Sequence, residues 1–193
     1  MPRFAIILLT LMWLSHSPSA LATAQVPDAI ELNGVVYPLL NEPLDSVLEQ
    51  REWTPPADAV ESSANWRGYV AHWTIRNDIL WLLDVTIEAQ QPNGELDTRS
   101  IIRELFDDTP PIPASWYDGT LIVPDGKLVS SFHAGYESSY DHYQVLVVEG
   151  GRIRERRSMD RPAFEAFQQA TKAARLEEAI QAERARAQRR KQD

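Results

Sequence analysis

Tyr69-Val70-Ala71-His72-Trp73-Thr74-Ile75-Arg76-Asn77-Asp78-Ile79-Leu80-Trp81-Leu82-Leu83-Asp84-Val85-Thr86-Ile87-Glu88 is the stretch that sets the fold class. In its first half Tyr69, Ala71, Trp73 and Ile75 alternate with Val70, His72, Thr74 and Arg76. In its second half Ile79, Trp81, Leu83, Val85 and Ile87 take the odd positions, with Asp84, Thr86 and Glu88 on later even ones. A period of two in aromatic and β-branched residues marks a strand with one buried face. Asn77-Asp78 between the halves predicts a hairpin. A two-residue loop would pair Arg76 with Ile79 and set odd residues against even. A three-residue loop, Asn77-Asp78-Ile79, pairs Arg76 with Leu80 and brings the odd apolar residues of both strands onto one face. The three-residue loop is therefore expected, with His72 opposite Asp84 on the wetter face.

Working outward, further turn signals bound further strands. Asn33-Gly34 predicts a short hairpin, and Leu44–Trp53 a short helix. Gln91-Pro92-Asn93-Gly94 is a turn; Ile101, Ile102, Leu105 and Phe106 fit one helical face; Asp107–Pro113, with three prolines, reads as an extended loop. Pro124-Asp125-Gly126-Lys127 predicts a hairpin between Thr120–Val123 and Leu128–Phe132, and Glu149-Gly150-Gly151 another between Tyr140–Val148 and Arg152–Arg156. From Arg161 the pattern turns helical: Asp160 as cap, Pro162 in the first turn, and an apolar stripe of Phe164, Phe167, Thr171 and Ala174. The expected fold is mainly β (α+β): an antiparallel, hairpin-linked sheet, sandwich or small barrel, with a C-terminal helix.

The N-terminus carries a different grammar. Arg3 precedes an apolar run from Phe4 to Leu14, followed by Ala20-Leu21-Ala22 and Ala22-Thr23-Ala24. A basic start, a short apolar run and small-residue cleavage patterns predict a secretory signal peptide. The run falls well short of the roughly twenty residues a spanning helix needs; an uncleaved anchor is the alternative. The expected organisation is a signal peptide over 1–24, an irregular lead-in with a short hairpin and helix over 25–62, an antiparallel β domain over 63–160, and a basic helix and tail over 161–193. Export, with a bacterial periplasm as the compartment, is the expected localisation.

The chain has 193 residues, no cysteine and a net charge of −9. Without cysteine there is no thiol nucleophile, thiolate metal site or disulfide, so the domain must hold by packing. The charge is unevenly spread: residues 25–149 carry 21 acidic and 6 basic side chains, and residues 152–193 carry 7 acidic and 12 basic. An acidic body argues against nucleic acid as its partner. The basic tail allows contact with anionic membrane, although a solvated helix is the simpler expectation.

No Gly-rich phosphate loop and no Gly-x-Ser-x-Gly elbow is present. The richest polar segment is Phe132–Tyr143, which holds His133, Tyr136, Glu137, Asp141 and His142. Trp116-Tyr117 closes the Pro-rich loop as a partly exposed aromatic pair. Aromatics interleaved with polar groups suit recognition, because they bury area while offering hydrogen bonds. The candidate binding residues are Trp116, Tyr117, His133, Tyr136, Glu137, Asp141 and His142. His72, His133, His142, Glu137 and Asp141 could donate to a metal, yet their spacing matches no metal motif, so neither metal nor other cofactor is expected. His72 with Asp84 is a candidate acid–base pair, weighed against an ordinary surface contact. The sequence is therefore read as an exported, non-enzymatic binding protein acting through protein–protein contacts. A metal-dependent or acid–base envelope hydrolase using His133, His142 and Asp141, and a structural envelope protein, are the alternatives.

Overall fold

The computed structural model describes residues 25–60, 62–130 and 138–190. The expected signal peptide, and the candidates His133, Tyr136 and Glu137, lie outside the described residues. Among those described, no helix is long and apolar enough to cross a membrane.

The chain is mainly strand, built on a mixed nine-stranded sheet with a C-terminal helix. Its elements are β1 (Asp28–Leu32), β2 (Val35–Leu39), α1 (Asp45–Gln50), β3 (Val70–Arg76), β4 (Ile79–Gln90), β5 (Leu96–Ser100), the single turn α2 (Ile102–Leu105), β6 (Ile112–Pro113), β7 (Gly119–Pro124), β8 (Leu128–Ser130), β9 (Ser139–Tyr140), β10 (His142–Glu149), β11 (Arg152–Asp160) and α3 (Arg161–Arg189). The main path runs β2-β1-β3-β4-β11-β10-β7, with β5 and β6 also on β4 and β8-β9 a separate ribbon. The sheet curls until its ends meet without closing a barrel: Leu40 N donates to Ile122 O at 3.0 Å, and Ile122 N donates to Asn41 Oδ1 at 2.6 Å.

The deciding hairpin forms with a different register. Arg76 pairs with Ile79, so the loop has two residues, Asn77 and Asp78, at φ 52° and 56°. Two left-handed residues give the turn whose twist matches the flanking strands, and Asn and Asp tolerate that region better than most side chains. The face conflict is resolved by a bulge: His72 pairs with Asp84 but Trp73 with Leu82, leaving Leu83 without an opposite residue. Thus β4 buries Leu80 and Leu82 before the bulge and Val85, Ile87 and Ala89 after it. The expected His72–Asp84 pairing survives because the bulge falls between it and the turn.

Two further expectations change, and one strand forms where the sequence carried no expectation. Among the described residues all strand pairs are antiparallel except β1 with β3, which run parallel. Leu96–Ser100, without an apolar alternation of its own, still pairs with β4. The Pro-Asp-Gly hairpin is not made: β7 pairs with β10 and β8 with β9. Leu121 and Val123 face Leu146 and Gln144 on β10, and Leu121, Val123 and Leu146 are fully buried, a better match than exposed Leu128 and Val129 offer. The Glu149-Gly150-Gly151 hairpin does form, with Gly151 at φ 72°. A β-carbon there would lie 2.5 Å from Ala114 O, so backbone crowding as well as φ demands glycine. The helix starts as expected, Asp160 accepting from Ala163 N at 3.0 Å. Of its stripe only Phe164 is buried, stacked on Tyr143 at 3.9 Å between ring centres.

The parallel β1–β3 contact is pinned by a fully buried charge. Asp28 Oδ1 accepts from Arg67 Nη1 at 3.0 Å and Ala71 N at 3.2 Å, and Oδ2 accepts from Trp73 Nε1 at 3.1 Å. Arg67 also reaches Val26 O at 3.0 Å. Burial nevertheless pushes the Asp28 carboxyl up to about 6, against the pull of Arg67 and the other donors. Its folded value lies above the unfolded one. The stabilisation linked to its proton is therefore complete below about pH 4 and lost as pH rises through about 6. Arg67→Met should lower stability by about 3 kcal/mol at pH 7, since it strands a buried charge. Urea unfolding at pH 7 and pH 5 checks this: the deficit should shrink at pH 5, where Asp28 can protonate. An equal deficit at both pH values would contradict the coupling.

Candidate functional site

Arg67 is held inside, so its neighbour Trp66 is turned out. Trp66 is 67% exposed, the most exposed of the large hydrophobic residues among those described. It borders a cleft of about 300 Å³ closed on the other side by α1 and the chain after it. The floor is Tyr69, whose ring meets Trp53 edge-on at 5.9 Å and carries the Arg67 guanidinium at 4.8 Å. Tyr69 OH donates to Asp45 Oδ1 at 2.5 Å. Burial, with Asp28 and Asp45 nearby, pushes the Tyr69 phenol well above its ordinary value, so it stays a neutral donor.

The rim is acidic. Glu49 leaves the exposed face of α1, and Glu52 follows the helix end. Glu52 has φ 50°, in the left-handed position after a helix that glycine usually occupies. A side chain there costs on the order of 1 kcal/mol relative to glycine. The carboxylate is thus kept at the cleft against a local backbone preference. The site holds two tryptophans, a tyrosine, three carboxylates and Arg67, whose charge is paired with Asp28; the exposed carboxylates beside an indole suit a cationic side chain laid on the indole face.

The residues singled out from sequence are distributed differently. Trp116 and Tyr117 are both partly buried and tied to the body. Trp116 stacks on Phe106 at 5.5 Å and donates from Nε1 to Pro43 O at 3.0 Å. Tyr117 OH donates to Thr120 O at 3.2 Å, and burial with the Glu42 charge pushes its phenol up to about 12. Asp141 is exposed and accepts from Lys127 N at 2.6 Å. His142 is half-buried, with Nδ1 on Asp125 and Nε2 3.0 Å from Ser158 Oγ. His72 and Asp84 are opposite but not bonded: His72 Nε2 lies 3.1 Å from Thr86 Oγ1, while Asp84 Oδ1 accepts from Val85 N and Ser100 Oγ. No group of three or more metal-ligating side chains gathers among the described residues. Asp141 and His142 do not join His72 as a metal set.

Trp66 does not stand out as a site in the sequence. A tryptophan beside a buried arginine in a Ser/Asn-rich loop is its only local signal, and the arginine's partner, Asp28, lies 39 positions away. No family model, curated protein or solved structure matches the chain.

Glu52→Gly should raise stability by about 1 kcal/mol in chemical denaturation, since it relieves the left-handed side chain. A loss of stability would mean that the Glu52 carboxylate holds the cleft together.

Proposed function

We infer that this chain is an exported, periplasmic protein that works by binding a basic protein partner in the cleft between Trp66 and α1. The observation that carries this reading is the exposed indole of Trp66 lining one cleft with Glu49, Glu52, Trp53 and Tyr69. A lysine or arginine of the partner would stack on Trp66 and meet the carboxylates, a contact worth about 0.5–2 kcal/mol for the cation–π part alone. The wider acidic surface, 21 acidic against 6 basic side chains over residues 25–149, would steer a basic partner toward it. Export rests on the pattern of residues 1–24. The cleft is assigned binding and no chemical step.

Capture of the tagged protein from its native envelope, followed by mass spectrometry, tests the reading. The expected result is one dominant basic protein, reduced at least tenfold by Trp66→Ala and by Glu49→Lys, both folded. Capture unchanged in both variants would remove the cleft from the account.

A further inference from the structure

We propose that Ser158, His142 and Asp125 form a nucleophilic site for carboxylic ester hydrolysis, one that shares no residue with the acidic cleft. Three elements assemble it. The β10–β11 register sets Gln144 opposite Ser158 and His142 opposite Asp160, so Ser158 lies diagonal to His142 on the same sheet face. The β7–β10 register ends at Tyr143 opposite Pro124, which delivers Asp125 beside His142. The turn is pinned there: Asp125 N and Gly126 N both donate to His142 O at 3.3 Å.

The hydrogen-bond order is that of a nucleophile, a base and an orienting carboxylate. Ser158 Oγ lies 3.0 Å from His142 Nε2. His142 Nδ1 bonds Asp125 Oδ1, and Gln144 Nε2 donates to Asp125 Oδ2 at 2.8 Å. Asp125 cannot turn away without losing Gln144. An acceptor at Nδ1 fixes the neutral imidazole as its Nδ1–H tautomer, leaving Nε2 free to take the serine proton. The His142 side chain is 38% exposed and that of Asp125 16%, so the base is reachable while its carboxylate is shielded.

The neighbouring backbone suits an acyl group. β11 pairs with β4 at Arg152–Ile79 only, so among the described residues Arg154–Asp160 have a strand partner on the β10 side alone. A strand with one free edge turns alternate N–H groups outward, and such groups can stabilise a developing oxyanion. An open site of this kind favours esters over the less reactive amides.

In the reaction Ser158 Oγ adds to the ester carbonyl carbon as its proton passes to His142 Nε2. Collapse of the adduct breaks the bond to the alcohol, which leaves with that proton. Water then adds to the acyl-serine, giving a proton to His142. The carboxylic acid departs and Ser158 recovers the proton.

A fluorophosphonate probe on the purified full chain, read by intact mass and peptide mapping, tests the proposal. The expected result is one phosphonyl group on Ser158, absent in Ser158→Ala, with labelling slowed about 100-fold or more in Asp125→Asn and His142→Gln. Ester turnover of p-nitrophenyl acetate should fall in parallel. Ser158 is exposed on its strand, so the alanine variant should melt as the parent does. No label on the folded parent, label in Ser158→Ala at the parental rate, or label indifferent to Asp125 and His142 would each overturn the proposal.

Discussion

A single buried carboxylate, that of Asp28, organises the region on which the functional reading depends. It is fully buried and receives an arginine, a backbone amide and an indole N–H. These three donors come from residues 67, 71 and 73, so one side chain from the lead-in fixes both the start of β3 and the loop before it. A buried ion pair contributes little net stability, because desolvation offsets most of the attraction. Its effect is geometric. With Arg67 drawn inward to Asp28 and Val26, the chain places Trp66 in solvent and lays the guanidinium on Tyr69. The cleft is a consequence of where that charge is satisfied.

Much of the fold could be read in the sequence because alternation is a local signal. Tyr69, Ala71, Trp73 and Ile75 announce their strand, and Asn77-Asp78 its turn. The bulge at Leu83 could not be read, since a run of Leu82-Leu83 looks the same to a period of two whichever leucine faces inward. The Pro-Asp-Gly turn misleads for a related reason. It describes a local bend correctly, but the partner of β7 is chosen by buried apolar area on β10, some twenty residues on. The parallel placement of β1 depends on Asp28 meeting Arg67 across 39 positions, which no window of sequence contains. The sites follow the same rule. His142 stands out as a chemistry-bearing residue, yet Asp125 and Ser158 become its partners only through strand register. Trp66 stands out only once Arg67 is known to be buried.

The charge asymmetry of the chain acquires a location in the fold. Glu49 and Glu52 crowd the cleft around Trp66, whereas Arg154, Arg156 and Arg157 decorate β11, each in an exposed ion pair. Exposed pairs of this kind contribute little to stability and remain available to solvent. Helix α3 is anchored by Phe164 and leaves Leu176 and Ile180 exposed at 62% and 41%. One protein therefore presents an acidic aromatic surface on one part of its sheet and a basic strand and helix on another.

Partner binding at Trp66 is the proposal on which the function of the cleft rests. A photo-reactive amino acid placed at position 66, activated in cells with an intact envelope, addresses it directly. Binding at the acidic cleft predicts a cross-link to one basic protein, diminished as ionic strength is raised. No cross-link from position 66 while the same residue placed on β11 or α3 captures a partner would contradict it.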